Sequence, residues 1–373
     1  MEKSKTLHVV SFTVPWPANY GGAIDLFYKI KALHESGVNI ILHCFLYSRE
    51  EAPIMKQYCS KVYYYRRRMG FVSQLSTLPY IIQSRHSRQL LNTLTKDDYP
   101  ILFEGTHSTA WLNHPSLKGR TVWVRAHNVE YHYYSSLANV EKSWQKKLFY
   151  IVEAARLKRY ERSLSSATGI MAISGSDAAF WKDINSNTQL VTAFHGHTEL
   201  SVVPGKGDYV MYHGDLSVSE NVNAAEAMLK LCMRLQVPLI IAGKKPSYDL
   251  ARRVLETPYC QLVSNPDDAK MLDLIHNASA IVLPAKQTTG LRLKLLVSLF
   301  AGRHCIASPE MVKNTGLESM CVIASTEEEW ATTVSEYLHK PIEQEDIDQR
   351  WEMVAPFLDS FNAQKIIRLI WPE

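Results

Sequence analysis

Apolar positions along this chain fall into short β-branched or aromatic runs that alternate with longer stretches of helical periodicity. Candidate strands in the first half are "LHVVSFTV", "NIILHCFLY", "KVYYYR", "ILFEGT", "TVWVRAHN", "GIMAISG" and "QLVTAFHG". In the second half they are "YVMYHGDL", "PLIIAGK", "CQLVSN", "AIVLPA", "RHCIAS" and "CVIAS". Strands alternating with helices predict βαβ units and parallel sheets buried on both faces. Two such series predict an α/β chain of two doubly wound, Rossmann-like domains, joined by a Gly-bearing polar linker over 198–208. The acidic "TEEEW" after the last strand marks a helix start, where the helix dipole favours negative charge. "WEMVAPFLDSFNAQKIIRLIW" reads as two closing helices.

Composition narrows the class. A length of 373 residues suits two domains with sizeable cores. The net charge of +4 is too mild to indicate a nucleic-acid partner. The N-terminal apolar run is too short for a signal peptide, and no stretch approaches the ~18 consecutive apolar residues of a membrane span. The six cysteines are scattered without a CxxC pattern; Cys44, Cys305 and Cys321 fall in strands and read as small core residues. A cytoplasmic protein is expected.

Ligands of open parallel sheets bind beyond the carboxyl ends of the strands, so the loops there hold the candidate chemistry. After the first strand, Gly21 and Gly22 open a helix whose apolar face is marked by Ile24, Phe27, Ile30 and Leu33. Paired glycines permit close backbone approach and offer N–H groups to an anion, or simply make a helix-entry turn. No GxGxxG follows a strand, which removes the fingerprint of a nicotinamide-dependent oxidoreductase. After the fifth strand, Arg125, His127, Asn128 and Glu130 crowd one strand end. His127 is a candidate hydrogen-bonding or acid–base group, or a helix cap. Glu104 ends the preceding strand with His107 nearby, yet no HxH or HExxH pattern supports a metal. In the second half Gly214, Asn221, Gly243, Lys244 and Lys245 follow strands, the two lysines reading as phosphate contacts or a solvated pair. In "QTTGLRLKLLVSLF", Gly290 enters a helix on which Arg292 and Lys294 diverge. Lys294, set among apolar residues, needs a partner for its charge and is the preferred anion ligand.

Between Lys61 and Lys96 lie seven basic residues and no acid, interleaved with Tyr63, Tyr64, Tyr65, Phe71, Tyr80, Ile81 and Ile82. That mixture suits peripheral contact with an anionic membrane, on the inner face, or a solvated surface beside an ordinary core.

Taken in order, these segments resemble the GT-B glycosyltransferases, and within them the retaining family 4 group. The resemblance rests on "NYGGAIDLFYKIKALHESGVNIILHCF", "RAHNVEYHYY", "RYERSLSSATGIMAISGSD", "YHGDLSVSENVNAAEAML", "LIIAGKKP" and "LPAKQTTGLRLKLLVSLFAGRHCIAS". It implies two Rossmann-like domains facing a central cleft. The acceptor-side domain would span 1–197, with a C-terminal helix at about 355–373 packing back on it, and the nucleotide-sugar domain would span 205–354. It further implies metal-independent transfer of a hexose from a UDP- or GDP-sugar to a glycan or lipid-linked glycan, without a cofactor, in polysaccharide biosynthesis. By motif, Gly21 and Gly22 would approach the donor phosphate or acceptor, and His127 would face the transferred sugar, with Asn128 and Glu130 beside it. Gly214 and Asn221 would shape the donor pocket, with Gly243 and Lys244 on the nucleotide side. Thr289, Gly290, Leu291 and Lys294 would form the phosphate-facing turn and helix.

Two departures qualify what the resemblance implies. Many members carry a pair of glutamates where this chain has Thr289 and Val297. Loss of one charged hydrogen bond costs about 1.5–3 kcal/mol, so ribose recognition is expected to be weaker. The usual Arg and Lys pair after the first strand of the second domain is also missing, which keeps a weakened or non-catalytic sugar-nucleotide-binding paralogue as the alternative. The single DxD, Asp346 and Asp348, lies in a predicted helix rather than after a strand.

Overall fold

The computed structural model describes residues 5–70, 76–285 and 293–372. The chain forms two compact units, Met1–Gly196 with Asp359–Glu373, and His197–Leu358. The first holds β1 (Thr6–Ser11), β2 (Asn39–Leu46), β3 (Lys61–Arg66), β4 (Ile101–Glu104), β5 (Val122–Ala126), β6 (Gly169–Ala172) and β7 (Thr188–Leu190). They form one sheet in the order β3-β2-β1-β4-β5-β6-β7, with every pairing parallel.

Period-two alternation sends neighbouring residues to opposite faces, and both faces are buried. Leu7, Val9, Leu102 and Trp123 join one cluster with Leu26 and Ile30 of the helix Gly21–Glu35. Val10, Phe103 and Val124 join the other with Leu90, Leu164 and Trp181. The helix Asp359–Ile370 adds Ile366, Ile367 and Ile370 to the first cluster. Full burial stabilises each by roughly 1.5–3 kcal/mol, which anchors a helix too short to persist alone.

"QLVTAFHG" is expected to be a full strand, but the ladder of β7 stops at Leu190. Side chains take over its backbone groups. Arg125 donates to the carbonyls of Val191 and Thr192, Asp25 accepts from Phe194 N at 2.9 Å, and Asp359 accepts from His195 N and Gly196 N at 3.0 and 2.8 Å.

The second unit holds β8 (Tyr209–Asp215), β9 (Leu239–Lys244), β10 (Cys260–Ser264), β11 (Ala278–Leu283), β12 (His304–Ala307) and β13 (Val322–Ile323). Their order is β10-β9-β8-β11-β12-β13, again parallel throughout. Where β8 and β9 run side by side, a Cβ on Gly243 would lie 1.9 Å from the Gly214 carbonyl oxygen, so the close approach requires glycine there. The acidic stretch after β13 begins the helix Glu327–His339 with a capping box of Thr326 and Glu329. Cys44 and Cys305 are buried as expected, whereas Cys321 precedes the short β13 and is only partly buried.

Candidate functional site

Each sheet reverses its strand order once, between β1 and β4 in the first unit and between β8 and β11 in the second. Ligands of doubly wound sheets bind beyond the carboxyl ends of the strands at such points. Both switch points carry organised polar side chains.

At the first, the helix after β1 supplies Asp25 and Lys29, β4 supplies Glu104, and β5 supplies Arg125 with His127 just beyond it. Asp25, Lys29, Glu104 and Arg125 are all 0% exposed. Lys29 Nζ donates to Asp25 Oδ2 at 2.9 Å and to Glu104 Oε2 at 2.8 Å. Arg125 donates to Asp25 Oδ1 at 3.0 Å, and His127 Nε2 lies 3.1 Å from Glu104 Oε2. Two carboxylates thus meet two basic side chains, which is how buried charge is tolerated. Burial alone would raise both acids. For Asp25 the Arg125 and Lys29 charges outweigh it, and for Glu104 the Lys29 charge and the His127 hydrogen bond do, so both are held below the usual carboxylate range.

An ionised Glu104 can only accept, so His127 Nε2 carries a hydrogen, and in the neutral ring Nδ1 is left as the acceptor. Glu104 Oε1, Thr106 Oγ1, His107 Nδ1 and His127 Nδ1 are buried without a hydrogen-bond partner among the described residues. Four such atoms at adjoining strand ends call for an explanation, and a ligand's hydroxyl groups would supply one. Phe12, after β1, packs edge-on against His127 and tilted against His107, with ring centroids 5.4 and 5.5 Å apart. Gly22 lies against the same ring: a Cβ there would come within 3.1 Å of it. Burial lifts the Glu130 carboxyl to about 7 against a hydrogen bond from Asn128. Its neighbour Glu161, which accepts from Glu130 N at 2.7 Å, is raised by burial to about 8.

Asp25, Glu104 and His127 place ligand atoms within 4.8 Å of one another, a spacing open to a metal ion. The set does not fit one. Lys29 bonds one oxygen of each acid, Asp25 Oδ2 and Glu104 Oε2, so a divalent ion held there would meet its buried ammonium.

At the second switch point, β8 leads through Gly214 to the helix Ser219–Leu235, which carries Asn221 in its first turn. The helix Leu293–Ala301, which follows β11 in the chain, carries Lys294. Lys294 Nζ donates to Asn221 Oδ1 at 3.1 Å and lies over the Tyr212 ring, 5.6 Å from its centre. Asn221 also donates to the Asp215 carbonyl at 2.9 Å, so its amide is oriented from both ends. Beneath it His213 is bonded to Ser298 at 3.1 Å, its pKa lowered to about 4 by burial and then by the Lys294 charge.

The structure therefore brings Gly214, Asn221 and Lys294 together, and gathers Gly22, His127, Asn128 and Glu130 around Phe12 and β5. Gly21 begins the helix beside Gly22. Gly243 is buried in the strand pair, while Lys244 ends β9 exposed to solvent. Val297, one turn after Lys294, is half-buried. Thr289, Gly290, Leu291 and Arg292 lie outside the described residues, as does Phe71. Among the described apolar residues of the basic stretch from Lys61 to Lys96, Tyr63, Tyr64 and Tyr80 are half-buried and Met69 is exposed. Tyr65, Ile81, Ile82 and even Arg85 are buried, Arg85 donating to the Phe12 carbonyl at 2.9 Å. Sequence reasoning missed Asp25 and Lys29. Their signal was an acid and a lysine four apart on a helix that buries both flanks, with Ile24 only half-buried.

No family model matches the chain. An uncharacterized 44.6 kDa protein in the cps region of Klebsiella pneumoniae is 32% identical over 167 residues, which covers 43% of this chain and 42% of that protein. Solved structures match over nearly the whole length. Sucrose-phosphate synthase from Thermosynechococcus elongatus has a TM-score of 0.67 at 13% identity, covering 98% of each chain. The trehalose-6-phosphate protein from E. coli bound with UDP-2-fluoro glucose has a TM-score of 0.63 at 10% identity, again covering 98% of each. At such identities the likeness is one of fold, and the two parallel-sheet units are those of the GT-B fold.

Proposed function

We propose that the protein is a retaining, metal-independent glycosyltransferase that moves a hexose from a nucleotide-diphosphate sugar to a glycan or lipid-linked glycan. The observation that carries the reading is the Lys294–Asn221 pair at the switch point of the second sheet. Departure of a nucleoside diphosphate develops negative charge, and a cation already held in place stabilises it without reorganisation. Likeness to proteins solved with UDP-2-fluoro glucose and UDP-glucose supports a nucleotide-sugar donor. His127, with its ring fixed by Glu104, is the group offered to the transferred sugar. The protein holds no resident metal or cofactor in this reading, because Lys294 and backbone amides serve the diphosphate.

The test is a thermal-shift panel of UDP- and GDP-sugars on the wild type and Lys294→Ala, followed by donor hydrolysis and transfer assays. Stabilisation by one donor class, lost in Lys294→Ala, is expected; no stabilisation by any nucleotide sugar overturns the reading. The second reading, a binding paralogue without turnover, is favoured by Val297, which stands one turn from Lys294 where a carboxylate would hold the ribose. Donor binding with neither hydrolysis nor transfer would select it.

A further inference from the structure

We infer that the helix Trp144–Glu161 is a docking surface for an anionic lipid membrane, a role independent of the proposed chemistry. Trp144, Leu148, Ile151 and Val152 are 72, 54, 50 and 41% exposed. With the exposed Ala155 they recur at spacings of three and four, so they share one face. Val140 and Tyr133 on the preceding helix Glu130–Val140 are exposed as well. A contiguous apolar stripe on a helix that already buries Ala154 and Leu157 on its other side needs an occupant.

Charge names that occupant. Lys147, Lys158 and Arg159 are exposed beside the stripe, and Lys142 and Arg162 are exposed just beyond the two ends of the helix. The acids of the same helix are turned inward: Glu153 accepts from Tyr80 N at 2.6 Å and pairs with Arg156 at 2.8 Å, and Glu161 accepts from Glu130 N. The outer face is thus apolar at its centre and basic at its margin, the arrangement that lies in a lipid headgroup layer and is drawn to anionic lipid. A groove of about 370 Å³ between the two helices, lined by Tyr131, Ala138, Ile151 and Lys158, extends that face. The element would lie on the surface, since among the described residues no helix is long and apolar enough to cross a membrane.

The experiment is co-flotation of the full chain with vesicles of phosphatidylcholine alone or mixed with phosphatidylglycerol, at low and high salt. We expect binding to the mixed vesicles only, weakened by salt. Trp144→Ser with Ile151→Ser should abolish it. Lys147→Glu with Arg159→Glu should reduce it roughly ten- to hundredfold, each basic residue near the surface being worth about fivefold. Arg66→Glu with Arg88→Glu, in the basic stretch outside this face, should leave it within about twofold. Equal binding to both vesicle types, or to neither, overturns the proposal. So does a wild-type dimer that the Trp144→Ser, Ile151→Ser pair makes monomeric without any vesicle binding, because a second copy would then cover the face. If the serine variant does not fold, the charge variants and the salt dependence decide. None of these readouts depends on sugar transfer, so failure here leaves the proposed function standing.

Discussion

His127 Nε2 and Glu104 Oε2 lie 3.1 Å apart, and the same carboxylate oxygen receives the Lys29 ammonium at 2.8 Å. Glu104 is therefore pinned from below and directs the ring above it. It acts as a positioning residue, through a hydrogen bond that sets which ring nitrogen is left to accept.

Replacing Glu104 with Gln should then leave donor binding nearly intact while lowering turnover. We expect kcat to fall about tenfold or more, since losing a hydrogen bond to a charged group costs about 1.5–3 kcal/mol, with donor KM little changed. His127→Ala should lower kcat at least as far. Unchanged kcat in both would remove His127 from the chemistry, and steady-state kinetics on a folded variant decide it.

On the proposed reading, Lys294→Met removes one charged contact to the donor diphosphate. A loss of about 1.5–3 kcal/mol is expected, equivalent to roughly ten- to hundredfold in donor affinity by titration calorimetry. The same substitution should raise the His213 pKa from about 4, because the lysine charge helps depress it. Burial is the larger cause, so the value should stay below 6.5. Proton NMR of the ring resonances reads this directly; an unmoved titration would place Lys294 away from His213 in solution.

Lys29→Met leaves Glu104 buried without its cation. Breaking a buried ion pair from one side costs about 3–5 kcal/mol, so the denaturant midpoint should drop sharply. Adding Glu104→Gln should recover part of that loss, giving a coupling in a double-mutant cycle. Strict additivity would mean the two groups do not interact.

Glu130 and Glu161 have folded values near 7 and 8, above an ordinary value of 4.5. A raised folded pKa means the unfolded state binds fewer protons between those limits. Their contribution is full below pH 4.5 and is lost as pH rises through about 7 and 8. Glu161→Gln should therefore stabilise the protein on the alkaline side, on the order of 1–3 kcal/mol, and change little on the acid side. A melting-temperature difference from wild type that does not vary with pH would contradict this.

Much of the fold was legible because both sheets are parallel and buried on two faces, which writes each strand as a dense apolar run. The Gly214, Asn221 and Lys294 grouping was legible because strand-end loops of such sheets converge at a switch point. Lys294 betrayed itself as a charge in apolar company. Asp25 and Lys29 escaped notice because a helix is read by its apolar stripe, and a neutralised ion pair inside that stripe looks like its solvent face. The short β7 escaped because its last residues are apolar enough for a strand, while their hydrogen-bond partners are side chains of β5 and of helices remote in sequence. In the basic stretch after Lys61, composition records which residues are adjacent but not which way they face, and Tyr65, Ile81 and Ile82 face inward.

Asp359 holds the backbone of His195 and Gly196 at the point where the chain leaves the first unit, and it stands at the point where the chain returns. On the ribosome, the first unit must wait for the entire second unit to be synthesised before its last helix can arrive. Until then the surface that will receive Ile366, Ile367 and Ile370 stays wet. The first unit can thus complete its interior only after the helix Asp359–Ile370 has been made, and residues 1–196 expressed alone would lack the final part of that interior.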